Sequence, residues 1–321
     1  MKNAEGLIRQ SKPLYPVIQP YTYEFLDVGD GHTLYIEQCG NPEGIPVVIF
    51  HGGPGGGCSP GMRRFFHPDL YRVILFDQRG CGRSKPHSSV EANTTWHLIE
   101  DIERIRQHLE IDDWIVFGGS WGAALGLIYA IHYPKIVRHL VLRGVFLMTQ
   151  TELDWFYAGG AAVFFPEEWR KVISVLEPEE REDVIGAYNR RLFGNDEAQV
   201  TRFARIWTAW ESALATLEPR DSIGSTPAAY AQAFARIENH YFLNRGFLES
   251  DNYILDNIEK IKEVPGTIVH GRYDMICPPR SAFILHEAWP SSRLKMMPTA
   301  GHNLSEPSIS SALVQVMDDL A

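Results

Sequence analysis

A serine sits inside a tight glycine frame at Phe117-Gly118-Gly119-Ser120-Trp121-Gly122, a G-x-S-x-G pattern that follows the apolar run Trp114 to Phe117 and precedes a helical stretch. A sharp strand-to-helix turn crowds the backbone. Small residues two before and two after the serine let its hydroxyl stand clear, and the helix behind it aims its dipole at developing negative charge. The pattern alone also occurs as an ordinary glycine-rich turn; the strand before and the helix after make Ser120 a nucleophile candidate. A serine needs a base, and the base needs an orienting carboxylate. Asp274 follows Ile268-Val269-His270-Gly271-Arg272-Tyr273, and His302 stands in Ala300-Gly301-His302, each just past a short apolar run. Their separation of 28 positions accommodates one helix and one strand, so the two side chains can occupy adjacent loops. His270 is the rival base, but it lies within or at the end of a strand and should point into the sheet packing.

His51-Gly52-Gly53-Pro54-Gly55-Gly56-Gly57 matches an HGGG-type loop that donates a backbone N–H to an oxyanion. The expected donors are the N–H groups of Gly53 and of Trp121, the residue after the serine. A phosphate loop is the other use of so many glycines, but no G-K-[ST] follows and no G-x-G-x-x-G opens a helix. Asp77-Gln78-Arg79-Gly80-Cys81-Gly82-Arg83-Ser84 reads as an ion-paired structural turn beneath the site. No H-E-x-x-H and no CxxC pair gives metal-ligand spacing, so the chemistry expected is a serine mechanism without metal or cofactor.

The elements that must hold these residues are short. Val47 to Phe50, Val73 to Phe76 and Trp114 to Phe117 read as strands buried on both faces, and Thr94 to Glu110 carries Trp96, Ile99, Ile102, Ile105 and Leu109 at helical spacing. The helix Ala123 to His132 and the strands Leu140 to Leu142, Gly266 to His270 and Leu294 to Met297 continue the rhythm, and Ile309 to Leu320 closes it as a helix. Strands alternating with helices imply an α/β protein with a parallel sheet. Residues 146–250 differ: no buried-strand run, long helical periodicity and 17 of the 37 aromatic residues. They are expected to form a helical insertion, with 1–145 and 251–321 as the core.

A chain of 321 residues exceeds the roughly 250–300 at which one core stops growing, which agrees with an insertion. The formal net charge is −10, of which residues 146–250 carry −6, and no block of Lys or Arg occurs. That excludes a nucleic-acid or anionic-membrane partner and suits a cationic one. Cys39, Cys58, Cys81 and Cys277 are scattered, as in a reducing compartment. Met1 to Tyr15 lacks the apolar core of a secretory signal, and the apolar stretch Trp114 to Ile131 is interrupted by Gly118, Gly119, Ser120 and Gly122, so a cytoplasmic protein without a membrane span is expected.

From about Tyr35 to the C-terminus the sequence resembles the proline iminopeptidases, serine peptidases of the α/β-hydrolase fold. The resemblance rests on HGGPGGG (51–57), DQRGCGRS (77–84), NTTWHL (93–98), GGSWG (118–122), ARIENHYF (235–242), HGRYDM (270–275) and AGH (300–302). It implies an α/β-hydrolase core with a mostly parallel sheet and an inserted helical cap. It also implies a Ser120, Asp274, His302 triad and release of N-terminal proline from peptides. The family's two amine-binding carboxylates fall on Glu211, in Trp207-Thr208-Ala209-Trp210-Glu211, and Glu238, in Arg236-Ile237-Glu238-Asn239-His240. On residue types alone each could instead pair with an arginine such as Arg205 or Arg236; the resemblance favours binding of the substrate amine. Phe146, Trp155, Phe156 and Phe242 suit a proline-ring pocket, although aromatics at helical spacing also suit a core. The competing readings are a broader aminopeptidase or esterase on the same fold and, in another class, a catalytically silent scaffold that only binds. Dehalogenase or epoxide-hydrolase chemistry calls for a carboxylate nucleophile, and position 120 is a serine.

Overall fold

The computed structural model describes residues 11–218 and 226–321. Most of the amino-terminal stretch read for a secretory signal therefore lies outside the described residues. Eight strands form one sheet in the order β1-β2-β4-β3-β5-β6-β7-β8: β1 Thr22–Gly29, β2 His32–Gly40, β3 Ile45–Phe50, β4 Tyr71–Phe76, β5 Trp114–Ser120, β6 Val137–Val145, β7 Gly266–Gly271 and β8 Ser292–Met297. Only the β1–β2 and β2–β4 pairs are antiparallel; all others are parallel. Period-two alternation divides the buried side chains between the faces. Val48, Phe50, Ile74, Phe76 and Val116 pack on one side, and Val47, Ile49, Val73, Leu75, Ile115 and Phe117 on the other.

Helices cover both faces, as a parallel sheet requires. They are α1 Thr95–His108, α2 Trp121–His132, α3 Gln150–Tyr157, α4 Pro166–Ile173, α5 Val184–Leu192, α6 Glu197–Leu214, α7 Ala228–Leu243, α8 Tyr253–Asp256, α9 Pro279–Ala288 and α10 Pro307–Leu320. Residues of α1, α2 and α9 share the first cluster, while Leu313, Val314 and Met317 of α10 seal the second. Helix α2 is buried around nearly its whole circumference, from Trp121 to Ile131. This is why its sequence carries no charge and could be mistaken for a membrane span. No helix among the described residues is long and apolar enough to cross a membrane.

The segment between β6 and β7 contributes α3 to α8, and no strand is found in its described residues. Its longest helices, α6 and α7, pack against each other, and both contact α5. The start of α3 is fixed by a capping box: the Thr149 hydroxyl accepts from the Glu152 N–H, and the Glu152 carboxylate accepts from the Thr149 N–H. Glu152 is buried and also accepts the Ser281 hydroxyl of α9 at 2.6 Å, tying this segment to the sheet layer.

The β1–β2 hairpin was not among the expected elements. Its signal is the Asp30-Gly31 turn between Leu26 and Leu34, with Asp30 at φ 54° and Gly31 at φ 76°. β1 lies at the sheet edge and leaves Tyr23 and Phe25 exposed, so no continuous apolar run marks it.

Candidate active site

Ser120 is the last residue of β5 and caps α2 with φ 59° and ψ −125°, a conformation that non-glycine residues avoid. The strain is tolerated because the turn is clamped by close backbone approaches. A Cβ on Gly118 would lie 2.2 Å from the Gly122 carbonyl oxygen, and one on Gly122 would lie 1.9 Å from that of Phe50. Both positions therefore require glycine, the reason inferred from the motif.

Asp274 follows β7 and His302 follows β8, two adjacent parallel strands, so both residues reach the carboxyl edge of the sheet at which β5 ends. His302 Nδ1 and Asp274 Oδ2 are 2.7 Å apart. The other oxygen, Oδ1, accepts the N–H groups of Ile276 at 3.0 Å and Cys277 at 2.8 Å. Burial would raise the Asp274 carboxyl, but His302, His270 and these amides outweigh it and hold it below its ordinary value. Burial lowers His302, and Arg143 adds to the effect against the opposing pull of Asp274. His270 is fully buried, bonded through Nδ1 to the Val145 N–H and through Nε2 to the Cys277 carbonyl, and so serves the packing of strand ends, as expected. Ser120 Oγ makes no hydrogen bond to His302. Nε2 of the imidazole is instead met by Nη1 of Arg143 at 2.9 Å.

The glycine-rich loop after β3 runs against the serine, since a Cβ on Gly52 would lie 3.2 Å from Ser120 Cβ. Gly53 has φ 110°, open only to glycine. Gln78 braces this region: its main-chain N–H donates to His51 Nε2, its amide donates to the His51 carbonyl, and its Oε1 accepts the Trp121 indole, all at 3.0 Å. The adjoining turn is ion-paired, as expected. Arg79 forks onto Asp101 at 2.7 and 2.8 Å, and Asp77 accepts from Arg83 Nε at 2.8 Å and from the Cys58 N–H at 2.7 Å.

Glu211 of α6 and Glu238 of α7 are brought within hydrogen-bonding reach of each other. Two carboxylates in one buried site cannot both ionise. Burial raises Glu211 to about 7, partly offset by Glu238 and Arg143, while burial and the Glu211 charge push Glu238 well above its ordinary range. The pair thus shares a proton, and Glu238 Oε2 also accepts the Trp207 indole at 2.5 Å. Glu211 Oε2 is shielded from solvent and has no partner. The alternative arginine pairings do not form. Arg236 lies over Phe193 and donates to the carbonyls of Leu192 and Ser88, and Arg205 lines an outward hollow of about 1030 Å³ that none of Ser120, Asp274 and His302 borders. The cation whose charge acts on Glu211 is that of Arg143.

Of the four aromatics proposed for a proline pocket, Phe146, Phe156 and Phe242 cluster with ring separations of 5.9 and 6.3 Å, all buried. Trp155 is turned away from them, its indole donating to the Met275 carbonyl at 2.9 Å. Tyr157 was missed: it stacks on Trp207 at 4.2 Å, its hydroxyl is buried without a partner, and it feels the charges of both glutamates. Its place directly after Trp155 and Phe156 on α3 was its only signal. Arg143 was also missed, because nothing local in Leu142-Arg143-Gly144 marks it. Asp274, Cys277 and His302 present ligand atoms within 4.8 Å of one another, a grouping that linear spacing did not show. Burial keeps the Cys277 thiol protonated, and the aspartate oxygens already have donors.

A model of the α/β hydrolase fold matches residues 45–307, so the chain belongs to the α/β hydrolases. Within that class it belongs to the proline iminopeptidases. It is 50% identical to a proline iminopeptidase of Xanthomonas citri over 312 residues, covering 97% of this chain and 100% of the relative. It is likewise 50% identical to one of Arabidopsis thaliana, covering 94% of this chain and 80% of that one. Among solved structures, an Exiguobacterium antarcticum esterase superposes with TM-score 0.60 at 21% identity, covering 92% of this chain and 100% of that one, a likeness of fold.

Proposed function

We propose that the protein releases N-terminal proline from peptides through a Ser120, His302, Asp274 acyl-enzyme mechanism, with residues 146–250 acting as the cap that selects the substrate. The observation that carries this reading is the Glu211–Glu238 pair, a buried anionic site with an unpartnered oxygen and, among the described residues, no Lys or Arg ion-paired to it. Such a site is costly unless something cationic fills it. The protonated imino group of an N-terminal proline has that charge, and the Phe146, Phe156 and Phe242 cluster offers its ring an apolar wall. An internal proline has no charged amine and would leave the pair unanswered, which supports exopeptidase action. Phe234 and Ile237 pack on Gly53 and Gly55, so α7 carries Glu238 to the loop proposed to hold the oxyanion.

His302 takes the Ser120 proton as the oxygen attacks the prolyl carbonyl, and the N–H groups of Gly53 and Trp121 receive the oxyanion. His302 then protonates the leaving amine, and water cleaves the acyl-enzyme. The names of the relatives support the same substrate class.

The test is a panel of proline, alanine, leucine and N-acetylproline arylamides with a simple acetyl ester, assayed with the wild type and Ser120→Ala. Proline arylamide should be preferred and its N-acetyl form refused. Ser120→Ala should lose on the order of 10⁴-fold or more in kcat. Equal turnover of the acetylated substrate would remove the amine-binding role, and activity surviving Ser120→Ala would remove the mechanism.

A further inference from the structure

Arg143 occupies a position that this reaction scheme does not use. It stands on β6 opposite Gly119 of β5 and Val269 of β7, at the level of the strand ends that carry the triad. One nitrogen, Nη1, donates twice: to His302 Nε2 at 2.9 Å and to the His302 carbonyl at 2.8 Å. Nε is buried without a partner, and no carboxylate among the described residues forms an ion pair with this guanidinium. A Cβ on Gly119 would lie 2.4 Å from Nη2, so the residue before the nucleophile must be glycine for the guanidinium to fit.

Guanidinium has five donors, no acceptor and a permanent charge. It can meet Nε2 only when that nitrogen offers a lone pair, which places the ring proton on Nδ1, where Asp274 Oδ2 accepts it. A protonated ring would set N–H against N–H and cation against cation.

We propose, on the triad reading, that Arg143 is a positioning residue for the base, holding the His302 ring in its neutral form with the proton toward Asp274. In the first step the Arg143 Nη1–H hydrogen bond to Nε2 breaks and frees the single lone pair, the Ser120 O–H bond breaks, Nε2 gains the proton and the oxygen's electron pair forms the new bond to the carbonyl carbon. Arg143 then faces an N–H, keeps only the carbonyl bond, and favours passing that proton to the amine nitrogen as the C–N bond breaks. The other groups facing this assembly are Asp274 and Cys277 of the β7–α9 loop, His270 of β7 and Glu211 of α6. Of these, Glu211 offers Arg143 a second role, through substrate binding, and the kinetics separate the two.

Arg143→Met, Arg143→Gln and Arg143→Lys are compared with the wild type and Ser120→Ala on proline arylamide from about pH 5.5 to 9, with folding checked by thermal melts. In Arg143→Met and Arg143→Gln the acid limb of kcat should move to higher pH, with a loss on the order of tenfold near pH 6 and a much smaller one near pH 9. KM should stay within about twofold, and Arg143→Lys should keep the wild-type limb. Arg143→Gln carries the test if the methionine variant does not fold, because its shorter polar side chain keeps an amide NH2 and removes the charge. A loss equal at every pH, a change confined to KM, or a lysine variant that behaves like methionine overturns the proposal while Ser120→Ala remains dead. Turnover surviving Ser120→Ala overturns the triad reading and this proposal with it.

Discussion

At the scale of single residues, the two glutamates are not equivalent. Glu238 is pushed up further than Glu211 and is bonded to the Trp207 indole, whereas Glu211 keeps an unpartnered oxygen. Glutamine is an isostere of a protonated glutamate, so Glu238→Gln at neutral pH should change KM for proline arylamide by only a few-fold. Glu211→Gln removes the charge that faces the amine and should raise KM by about 30-fold or more. Steady-state kinetics of the two variants at pH 7 check this, and equal effects would mean that the proton sits elsewhere. Residue chemistry was legible in the sequence where a local rule applied. Ser120 was marked by its glycines, and Asp274 and His302 by the ends of apolar runs. Arg143 and Tyr157 had no such mark, because their importance comes from groups more than a hundred positions away for Arg143 and fifty or more for Tyr157. The glutamates were found only through the family resemblance, since no spacing rule links positions on two different helices.

Among the elements, α6 connects the carboxylate pair to the base. It carries Glu211 in its last turn, and the residues immediately beyond it run along the loop that holds His302. The Ala215 carbonyl accepts the N–H groups of His302 at 3.1 Å and Asn303 at 2.7 Å, and Glu306 Oε1 accepts the Leu217 N–H at 2.8 Å. Glu306 is nearly buried but the Leu217 donor belongs to an exposed residue, so truncating Glu306 loses this bond at a cost of about 1 kcal/mol. Glu306→Ala should lower Tm and reduce kcat by roughly tenfold with little change in KM. Glu306→Gln, which keeps an acceptor oxygen, should stay near wild type in both. A Glu306→Ala enzyme with full kcat would show that the strap has no part in placing the base. Helical periodicity marked residues 146–250 as helical without delimiting α6 or α7, and buried apolar runs revealed β3, β4 and β5. What the pattern could not show was which helix faces meet, because many pairings bury equal apolar area. The edge strand β1 escaped for the opposite reason, being too little buried to carry a pattern.

For the molecule as a whole, the acidic balance first seen in the composition matters less than two of its charges. Residues 146–250 carry −6 of the −10, mostly as solvated side chains that screening renders weak. The buried pair is different, because the folded protein retains its protons at pH values where the unfolded chain has released them. Glu211 rises from 4.5 to about 7, and Glu238 rises further. A group with a raised carboxyl pKa makes the folded state bind more protons than the unfolded one, so stability falls as pH climbs from about 4.5 through 7. Replacing Glu238 with glutamine removes the cost of keeping a proton on the pair at a pH where the unfolded chain has released it. Its Tm should therefore exceed wild type by about 2–5 °C at pH 8 and match it near pH 5, where both glutamates are already neutral. Pyrrolidine, a small secondary ammonium ion at pH 8, should raise the wild-type Tm and narrow the gap by supplying the missing cation. A difference in Tm that is the same at both pH values would show that the pair is not held protonated in the fold. The predicted pattern is that of a site kept unfavourable in the free protein so that a cationic substrate can relieve it.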